Sequence, residues 1–204
     1  LASLLDLGEN EPRVELFMSF RSPYSYVSIP QFKRLRDRYG VSIDVRPVLP
    51  MVMRGLAVPR AKRLYIAFDT KREADRLGVP FGRACDPLGK GIGYCMAVFL
   101  HCAEPRGIGL DFFHEVGRGA WSEGRDVGHL PDLIELCARA GISESDVRGA
   151  IAQGGWEGWA QENRDALTAM GLWGVPSFRI GSYASWGQDR VPLVEAEIAA
   201  VKSA

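Results

Sequence analysis

Residues 14–26 read VELFMSFRSPYSY, and the junction within them decides the fold. The segment 14–20 is apolar and rich in β-forming residues, which predicts a buried strand. Ser22 and Pro23 then supply a helix N-cap and a proline at the first helical position, where the missing N–H group costs nothing. We therefore expect a strand that passes directly into a helix beginning next to Ser22.

The pattern on the C-terminal side of this junction completes a βαβ unit. Apolar residues recur every three or four positions from Tyr26 to Tyr39, Gly40 provides the helix stop, and Pro30 is expected to kink the helix. Residues 41–47 alternate with a period of two and predict a second strand. Two strands joined by a helix predict a parallel pair with a right-handed crossover.

The remaining chain predicts a helical block and then a return to strands. Glycine and proline punctuation separates predicted helices at residues 62–77, 92–104, 110–121, 130–140, 144–153 and 156–170. Residues 175–180 and 183–186 predict a hairpin about the turn Gly181-Ser182, and a last helix covers residues 190–202. The predicted fold class is α/β, with an N-terminal tail (1–12), a βαβ…ββα domain (13–49 and 171–204) and an all-helical insertion domain (50–170).

The charge balance and the hydropathy exclude two classes of partner. The 25 Lys and Arg residues balance the 25 Asp and Glu residues, whereas nucleic acids and anionic membranes select for a basic excess. The longest runs without charged side chains, residues 91–103 and 166–178, are shorter than the ~20 residues of a membrane-spanning helix. We therefore expect neither nucleic acid nor a membrane as the partner.

The cysteines and histidines argue against disulfides and metals. The four cysteines, Cys85, Cys95, Cys102 and Cys137, contain no Cys-x-x-Cys pair, which favours buried, reduced thiols in a cytoplasmic protein. The three histidines have no metal-ligand spacing to one another or to the cysteines. No metal site is predicted.

Three junctions could carry chemistry, and each also has a purely structural interpretation. Ser22 either places a hydroxyl where helix N–H groups favour negative charge, or is a plain N-cap. Pro176 is either an ordinary strand-start proline or part of a cis peptide that presents the backbone of Val175 to a peptide-like ligand. Gln188 and Asp189 either cap the last helix or hold a charged group of a ligand.

Taken in order, these junctions resemble the thioredoxin fold, and the helices between its two halves resemble the DsbA-like branch of that fold. Over residues 13–200 the chain is similar to the 2-hydroxychromene-2-carboxylate isomerase family, DsbA-like relatives of the kappa-class glutathione transferases. The matching segments include FRSPYSY (20–26), RPVL (46–49), GAWSEGRD (119–126), GVPSF (174–178) and WGQDR (186–190), together with residues 59–65.

The resemblance implies a glutathione-dependent isomerase, in which a serine replaces the thioredoxin cysteine and glutathione supplies the thiol. The thiolate would add reversibly to an aromatic 2-oxo-acid, allow a bond rotation and leave again. The resemblance assigns Ser22 to the glutathione sulfur, Val175 and Pro176 to the cysteinyl backbone, Gln188 and Asp189 to the γ-glutamyl end, and Lys62 to the glycine carboxylate. Aromatic candidates for lining the acceptor pocket are Tyr24, Trp121 and Trp173. Family members are often dimers, so a homodimer is expected.

One departure from the family pattern keeps alternatives open. The family usually has an Asn-x-Pro stretch between the second strand and the lysine, whose asparagine contacts glutathione, but residues 51–59 contain no asparagine. One alternative is a kappa-like glutathione transferase or peroxidase that uses the same thiolate, and another is a non-catalytic DsbA-like binding protein. Arg21 and Arg54 are either solvated surface residues or ligands of a substrate carboxylate.

Overall fold

A computed structural model of the chain describes residues 13–203, and the predicted tail at residues 1–12 lies outside them. Four strands form a sheet in the order β2-β1-β3-β4. They are β1 (Arg13–Met18), β2 (Ser42–Pro47), β3 (Ser177–Ile180) and β4 (Tyr183–Trp186). Strand β1 pairs parallel with β2 and antiparallel with β3, and β3 pairs antiparallel with β4. The predicted parallel pair and the predicted hairpin are confirmed.

Helices occupy each of the predicted positions, with small shifts at their ends. They are α1 (Pro23–Tyr39), α2 (Arg60–Leu77), α3 (Lys90–Val98), α4 (Gly109–Trp121), α5 (Leu130–Arg139), α6 (Glu144–Gln153), α7 (Trp156–Ala169) and α8 (Val191–Ser203). Helix α1 continues through Pro30 and ends at Gly40, whose φ of 62° is left-handed and suits a residue without Cβ. The α/β class, with a βαβ unit, a helical segment and a ββα unit in this order, is confirmed.

Two elements differ from the sequence-based expectation. The helix expected at 92–104 consists of α3 followed by a wider π-helical segment, Phe99–Ala103, a local change of hydrogen-bonding pattern that hydrophobic periodicity does not reveal. Strand β3 begins at Ser177, two residues later than expected. Pro176 has no N–H group to donate to the sheet, so the strand starts after it.

Both faces of the central strand β1 are covered. Leu16 and its neighbours on one face belong to the main core, whereas Phe17 points to the other face and packs with Val48 and Leu167 of α7. This follows from the alternation of side chains along a strand. Because β1 is enclosed in this way, its carboxyl end and the start of α1 are held by packing on both sides.

Close contact between α1 and α4 positions the first of these helices. Tyr26 is almost completely buried, and its hydroxyl donates to the Pro80 carbonyl at 2.8 Å. A Cβ at Gly117 of α4 would lie 2.7 Å from the Tyr26 ring, so only glycine allows this approach. The N-terminus of α1 is thereby fixed relative to the sheet.

The segment between the two pairs of strands is helical apart from turns, loops and one isolated bridge between Arg83 and Glu123. Its division from the sheet as a separate insertion domain stays a prediction. Across residues 13–203, none of the helices combines the length and the apolar character that crossing a membrane requires.

Candidate functional site

Ser22 lies between β1 and α1 and is the N-cap of that helix. Its Oγ accepts a hydrogen bond from the Ser25 N–H at 3.2 Å, which is the cap contact that the sequence predicts. The same hydroxyl donates to the Val175 carbonyl oxygen at 3.3 Å. Since a helix N-terminus carries a partial positive charge, an anion next to this hydroxyl is stabilised.

The segment before β3 places the backbone of Val175 next to Ser22. The Val175–Pro176 peptide is cis, which is one of the two interpretations that the sequence leaves open. Within residues 13–203 the Val175 N–H has no hydrogen-bond partner, and its carbonyl receives only the Ser22 hydroxyl. An extended peptide laid along this segment could therefore pair with both groups, in the way that a strand adds to a sheet edge.

A short turn after β4 closes the same region. Gln188–Arg190 forms a 3₁₀ turn that packs against α1. The preceding Gly187 N–H donates to the Pro176 carbonyl at 3.0 Å, which ties the turn to the cis peptide. Gln188 is partly buried, and the exposed Asp189 carboxylate contacts its neighbour Arg190 at 3.5 Å. The structure thus connects the Val175–Pro176 segment directly to the turn that contains Gln188 and Asp189.

Trp173 forms an aromatic platform beside the cis peptide. Its side chain is 43% exposed and lies 4.8 Å from the Trp186 ring, centroid to centroid. The Lys62 ammonium lies 5.1 Å from the Trp173 ring centroid, a cation–π contact between α2 and this segment. A Cβ at Gly174 would lie 2.2 Å from the Trp186 indole, so a side chain at that position would displace Trp186 from its place beside Trp173.

Two aromatic candidates occupy different surroundings. The Tyr24 hydroxyl donates to Asp69 Oδ2 of α2 at 2.6 Å, and burial followed by this contact raises the pKa of Tyr24. Trp121 lies at the end of α4 and stacks on Phe81 at 6.3 Å. No hydrogen bond or ring contact within residues 13–203 joins Trp121 to Ser22 or Trp173. Tyr24 therefore adjoins the site, and Trp121 is not brought to it by any contact.

The two arginines considered as carboxylate ligands differ in their partners. Arg21 makes a bidentate pair with Asp86, at 2.7 and 2.6 Å, and its charge is therefore neutralised within the chain. Arg54 instead donates from Nη2 to the Trp173 carbonyl at 3.0 Å. The partners Asp69 and Asp86 were missed by the sequence analysis, because 45 and 65 residues separate them from Tyr24 and Arg21, and no periodicity connects such positions.

The chain's own thiols are unsuited to nucleophilic chemistry at this site. All four cysteines are free, and three of them are buried. Burial raises the pKa of each thiol, to about 12 for Cys137. A raised pKa leaves a thiol protonated at neutral pH, whereas the thiolate is the reactive form. Among the described residues no group of His, Cys, Asp and Glu is arranged to hold a metal ion.

Comparison with known proteins agrees with this geometry. A family model described as DSBA-like thioredoxin domain matches residues 13–199. The curated 2-hydroxychromene-2-carboxylate isomerase of Pseudomonas putida is 23% identical over 194 residues, covering 89% of this chain and 92% of that protein.

Two solved structures extend the comparison. A structure of 2-hydroxychromene-2-carboxylate isomerase (HCCA isomerase) is similar with a TM-score of 0.73 and 21% identity, covering 93% of this chain and 95% of that one. The cytosolic disulfide reductase DsbM from Pseudomonas aeruginosa, solved with GSH, gives a TM-score of 0.66 and 20% identity over 92% of this chain and 99% of that one. With identities of 21% and 20%, the similarity to these two structures shows a shared fold.

Proposed function

Because the chain belongs to the DSBA-like thioredoxin domain family, we propose that it is a glutathione-dependent isomerase of the 2-hydroxychromene-2-carboxylate type, acting on aromatic 2-oxo-acids. One observation carries this proposal: the Ser22 hydroxyl, at a helix N-terminus, donates to the carbonyl of Val175, whose N–H has no partner within residues 13–203. The names of the Pseudomonas putida relative and of the HCCA isomerase structure support the activity, and the GSH in the DsbM structure supports the ligand.

The backbone of Val175 fits the cysteinyl unit of glutathione. Its N–H is unpaired within the described residues and its carbonyl bonds only to Ser22, so two peptide hydrogen bonds are available. A peptide N–H that donates to this carbonyl would replace the Ser22 hydroxyl there. Ser22 would then be free to donate to the sulfur that the peptide brings to the helix N-terminus.

Ser22 and the helix N-terminus act together on that sulfur. A hydroxyl donor and the positive end of a helix both favour the anionic form of a nearby group. They lower the pKa of a thiol from ~8.5 toward neutrality. When bound, glutathione supplies a thiolate that adds reversibly to the conjugated acid and is released unchanged. The protein's part is to hold the sulfur deprotonated and positioned.

We assign the other predicted residues to the two ends of glutathione and to the aromatic acceptor. Gln188 and Asp189 are proposed to hold the γ-glutamyl end, since the Asp189 carboxylate is exposed and suits an ammonium group. Lys62 is proposed to face the glycine carboxylate. For the aromatic acceptor, the proposed lining is Tyr24, Trp121 and Trp173, of which Trp173 offers an exposed ring next to Lys62.

The raised pKa of the four thiols argues against disulfide chemistry by the chain's own cysteines. The free thiols support a cytoplasmic location, which is part of the proposal. A homodimer and a small aromatic substrate are proposed from the family resemblance.

Calorimetric titration with glutathione, followed by an assay with a benzylidenepyruvate, tests the proposal. Isomerisation is expected to proceed when glutathione is present at a lower concentration than the benzylidenepyruvate, and to leave the glutathione concentration unchanged. Depletion of glutathione mole for mole with product would assign the chain to the kappa-like transferases instead. Absence of heat at millimolar glutathione would contradict both enzyme functions and leave a non-catalytic binding protein.

A further inference from the structure

Arg54 lies at the same edge of the sheet as Ser22. Strands β1 and β2 are parallel, so the segments that follow them emerge at one edge. Ser22 follows β1, and Arg54 ends the short 3₁₀ turn Met51–Arg54 that follows β2. This turn belongs to residues 51–59, the segment that lacks the family's asparagine.

The Arg54 side chain is anchored beside the cis peptide. Its Nη2 donates to the Trp173 carbonyl at 3.0 Å, two residues before Val175. Its Nε is buried and has no hydrogen-bond partner within the described residues. A guanidinium group carries five N–H donors, so one hydrogen bond leaves most of its capacity unused.

Partial burial without a carboxylate partner distinguishes Arg54 from the other arginines of residues 13–203. Among residues 13–203 it is the one partly buried arginine without a carboxylate within 4.0 Å. The arginines that share this lack of a partner, such as Arg34, are exposed to solvent, where water provides the compensation. Removing a charge from water without a partner is unfavourable.

Further positive charge surrounds the same platform. Lys62 lies over the Trp173 ring at 5.1 Å, and within the described residues it has no carboxylate partner. Burial, and then the nearby charge of Arg164, lower the pKa of the Arg54 guanidinium. The single acidic contact in this group joins Arg164 to Asp165 at 3.6 Å. The cluster of Arg54, Lys62 and Arg164 therefore has a surplus of positive charge that a bound anion would compensate.

We propose that Arg54 binds the glycine carboxylate of glutathione together with Lys62, and so supplies a glutathione contact from the segment that lacks the family's asparagine. This inference rests on the proposed function. The planar guanidinium matches a carboxylate in a two-bond geometry. The 2-oxo-acid also carries a carboxylate, so the experiment must distinguish binding of this group from binding of the glycine carboxylate.

The test compares three probes on four proteins by calorimetry. The probes are glutathione, its glycine monoethyl ester, and γ-glutamylcysteine, which lacks the glycine. The proteins are wild type, Arg54→Met, Arg54→Lys and the matched control Arg34→Met, whose arginine is exposed on α1 and also has no carboxylate partner within residues 13–203. A second series measures the KM of the 2-oxo-acid at saturating glutathione.

Wild type is expected to bind glutathione about 10- to 100-fold more tightly than either of the two probes without the glycine carboxylate. This is the range for a lost charge-assisted hydrogen bond. In Arg54→Met this preference falls to a few-fold, in Arg54→Lys it recovers in part, and in Arg34→Met it stays at the wild-type value. A purely structural role for Arg54 would weaken all three probes equally and leave the preference intact.

Three results would count against the inference in different ways. An unchanged preference in Arg54→Met overturns it while the proposed function stands. A raised KM for the 2-oxo-acid with an unchanged glutathione Kd overturns the glycine assignment and moves Arg54 to the acceptor. Failure of wild type to bind glutathione overturns the proposed function and this inference together. If Arg54→Met does not fold, the comparison of wild type with Arg54→Lys tests the inference. The preference for glutathione over the other two probes should then be smaller in Arg54→Lys than in wild type, and an equal preference overturns the inference.

Discussion

The Ser22 hydroxyl has two partners, and only one of them is needed for the helix. Its acceptor role caps α1 through the Ser25 N–H, whereas its donor role toward Val175 contributes nothing to the cap. A ligand can therefore take over the donated hydrogen bond without disturbing α1. This separation of roles allows a structural N-cap to serve also as a binding residue.

Replacement of Ser22 tests this dual role. Ser22→Ala is expected to lose about 1 kcal/mol of unfolding free energy through the cap, and to shift the thiol pKa of bound glutathione upward. Activity rises as the thiol deprotonates, so the rising limb of the pH–rate profile moves to higher pH. The thiolate absorbance in a pH titration of the complex measures this shift.

Ser143 provides the matched control for that experiment. It caps α6 in the same way, with its Oγ accepting from the Asp146 N–H at 3.2 Å, and it lies outside the candidate site. Ser143→Ala should cost a similar stability and leave the pH–rate profile unchanged. Equal pH profiles for Ser22→Ala and wild type would limit Ser22 to capping.

Tyr24 predicts a pH dependence of stability. Burial and Asp69 raise its pKa above the ordinary value of 10, so the folded state holds this proton more tightly than the unfolded chain. Stability from this group is therefore complete below pH ~10 and is lost as the pH rises above it. Tyr24→Phe should cost about 1–2 kcal/mol at pH 7 through the lost hydrogen bond.

Urea unfolding of wild type and Tyr24→Phe across the pH range checks that expectation. The difference between the two proteins should stay constant from pH 6 to 9 and shrink above pH 10. Because Asp69 also pairs with Arg72 at 2.8 Å, its carboxylate keeps a partner in the variant. A difference that grows above pH 10 would contradict the assignment.

At the scale of elements, the packing of α1 on α4 decides where the site lies. Ser22 caps the N-terminus of α1, and Tyr26, about one turn later, contacts Gly117. The site therefore depends on a residue of α4 that has no chemistry of its own.

Gly117→Ala should destabilise the protein by about 1–3 kcal/mol, because a Cβ 2.7 Å from the Tyr26 ring forces the two helices apart. Gly149→Ala in α6 is the control, since a Cβ there meets nothing within 4 Å. Alanine has the higher helix propensity, so this control should be neutral or stabilising by up to about 1 kcal/mol. Similar unfolding free energies for the two variants, measured in urea, would refute the packing argument.

At the scale of the whole molecule, the reacting thiol is expected to come from outside the chain. The cysteines are distributed over the helical segment, and burial keeps their pKa values high. Under the proposed function, activity is expected to depend on the supply of glutathione and not on the oxidation state of the chain's own side chains.

Alkylation of the native protein tests this view. Iodoacetamide at neutral pH should modify Cys85, which is partly exposed, and should reach Cys95, Cys102 and Cys137 only after unfolding. Mass spectrometry counts the modified thiols. Cys85→Ser should keep full glutathione-dependent activity. Loss of activity in that variant would show that a thiol of the chain takes part.

The sequence by itself determined the order of elements and the three junctions. Strand and helix signals act between residues a few positions apart, so periodicity, the Ser22 cap and the turn glycines are readable without the fold. Periodicity could not locate the π-helical segment Phe99–Ala103, because the apolar pattern of a wide turn differs little from that of an α-helix. The roles of the site residues stay predictions.

Only the tertiary structure decided which charges are compensated. Arg21 and Arg54 are equally plausible carboxylate ligands in the sequence, yet one is neutralised by Asp86, whereas the other donates to the Trp173 carbonyl and has no carboxylate partner in the described part of the chain. Those contacts join positions 65 and 119 residues apart, and nothing in local composition encodes them. They arise when the segment after β2 meets the segment before β3, and when the end of β1 meets the loop between α2 and α3. Packing of the whole chain, and not local sequence, sets the distance between such distant residues.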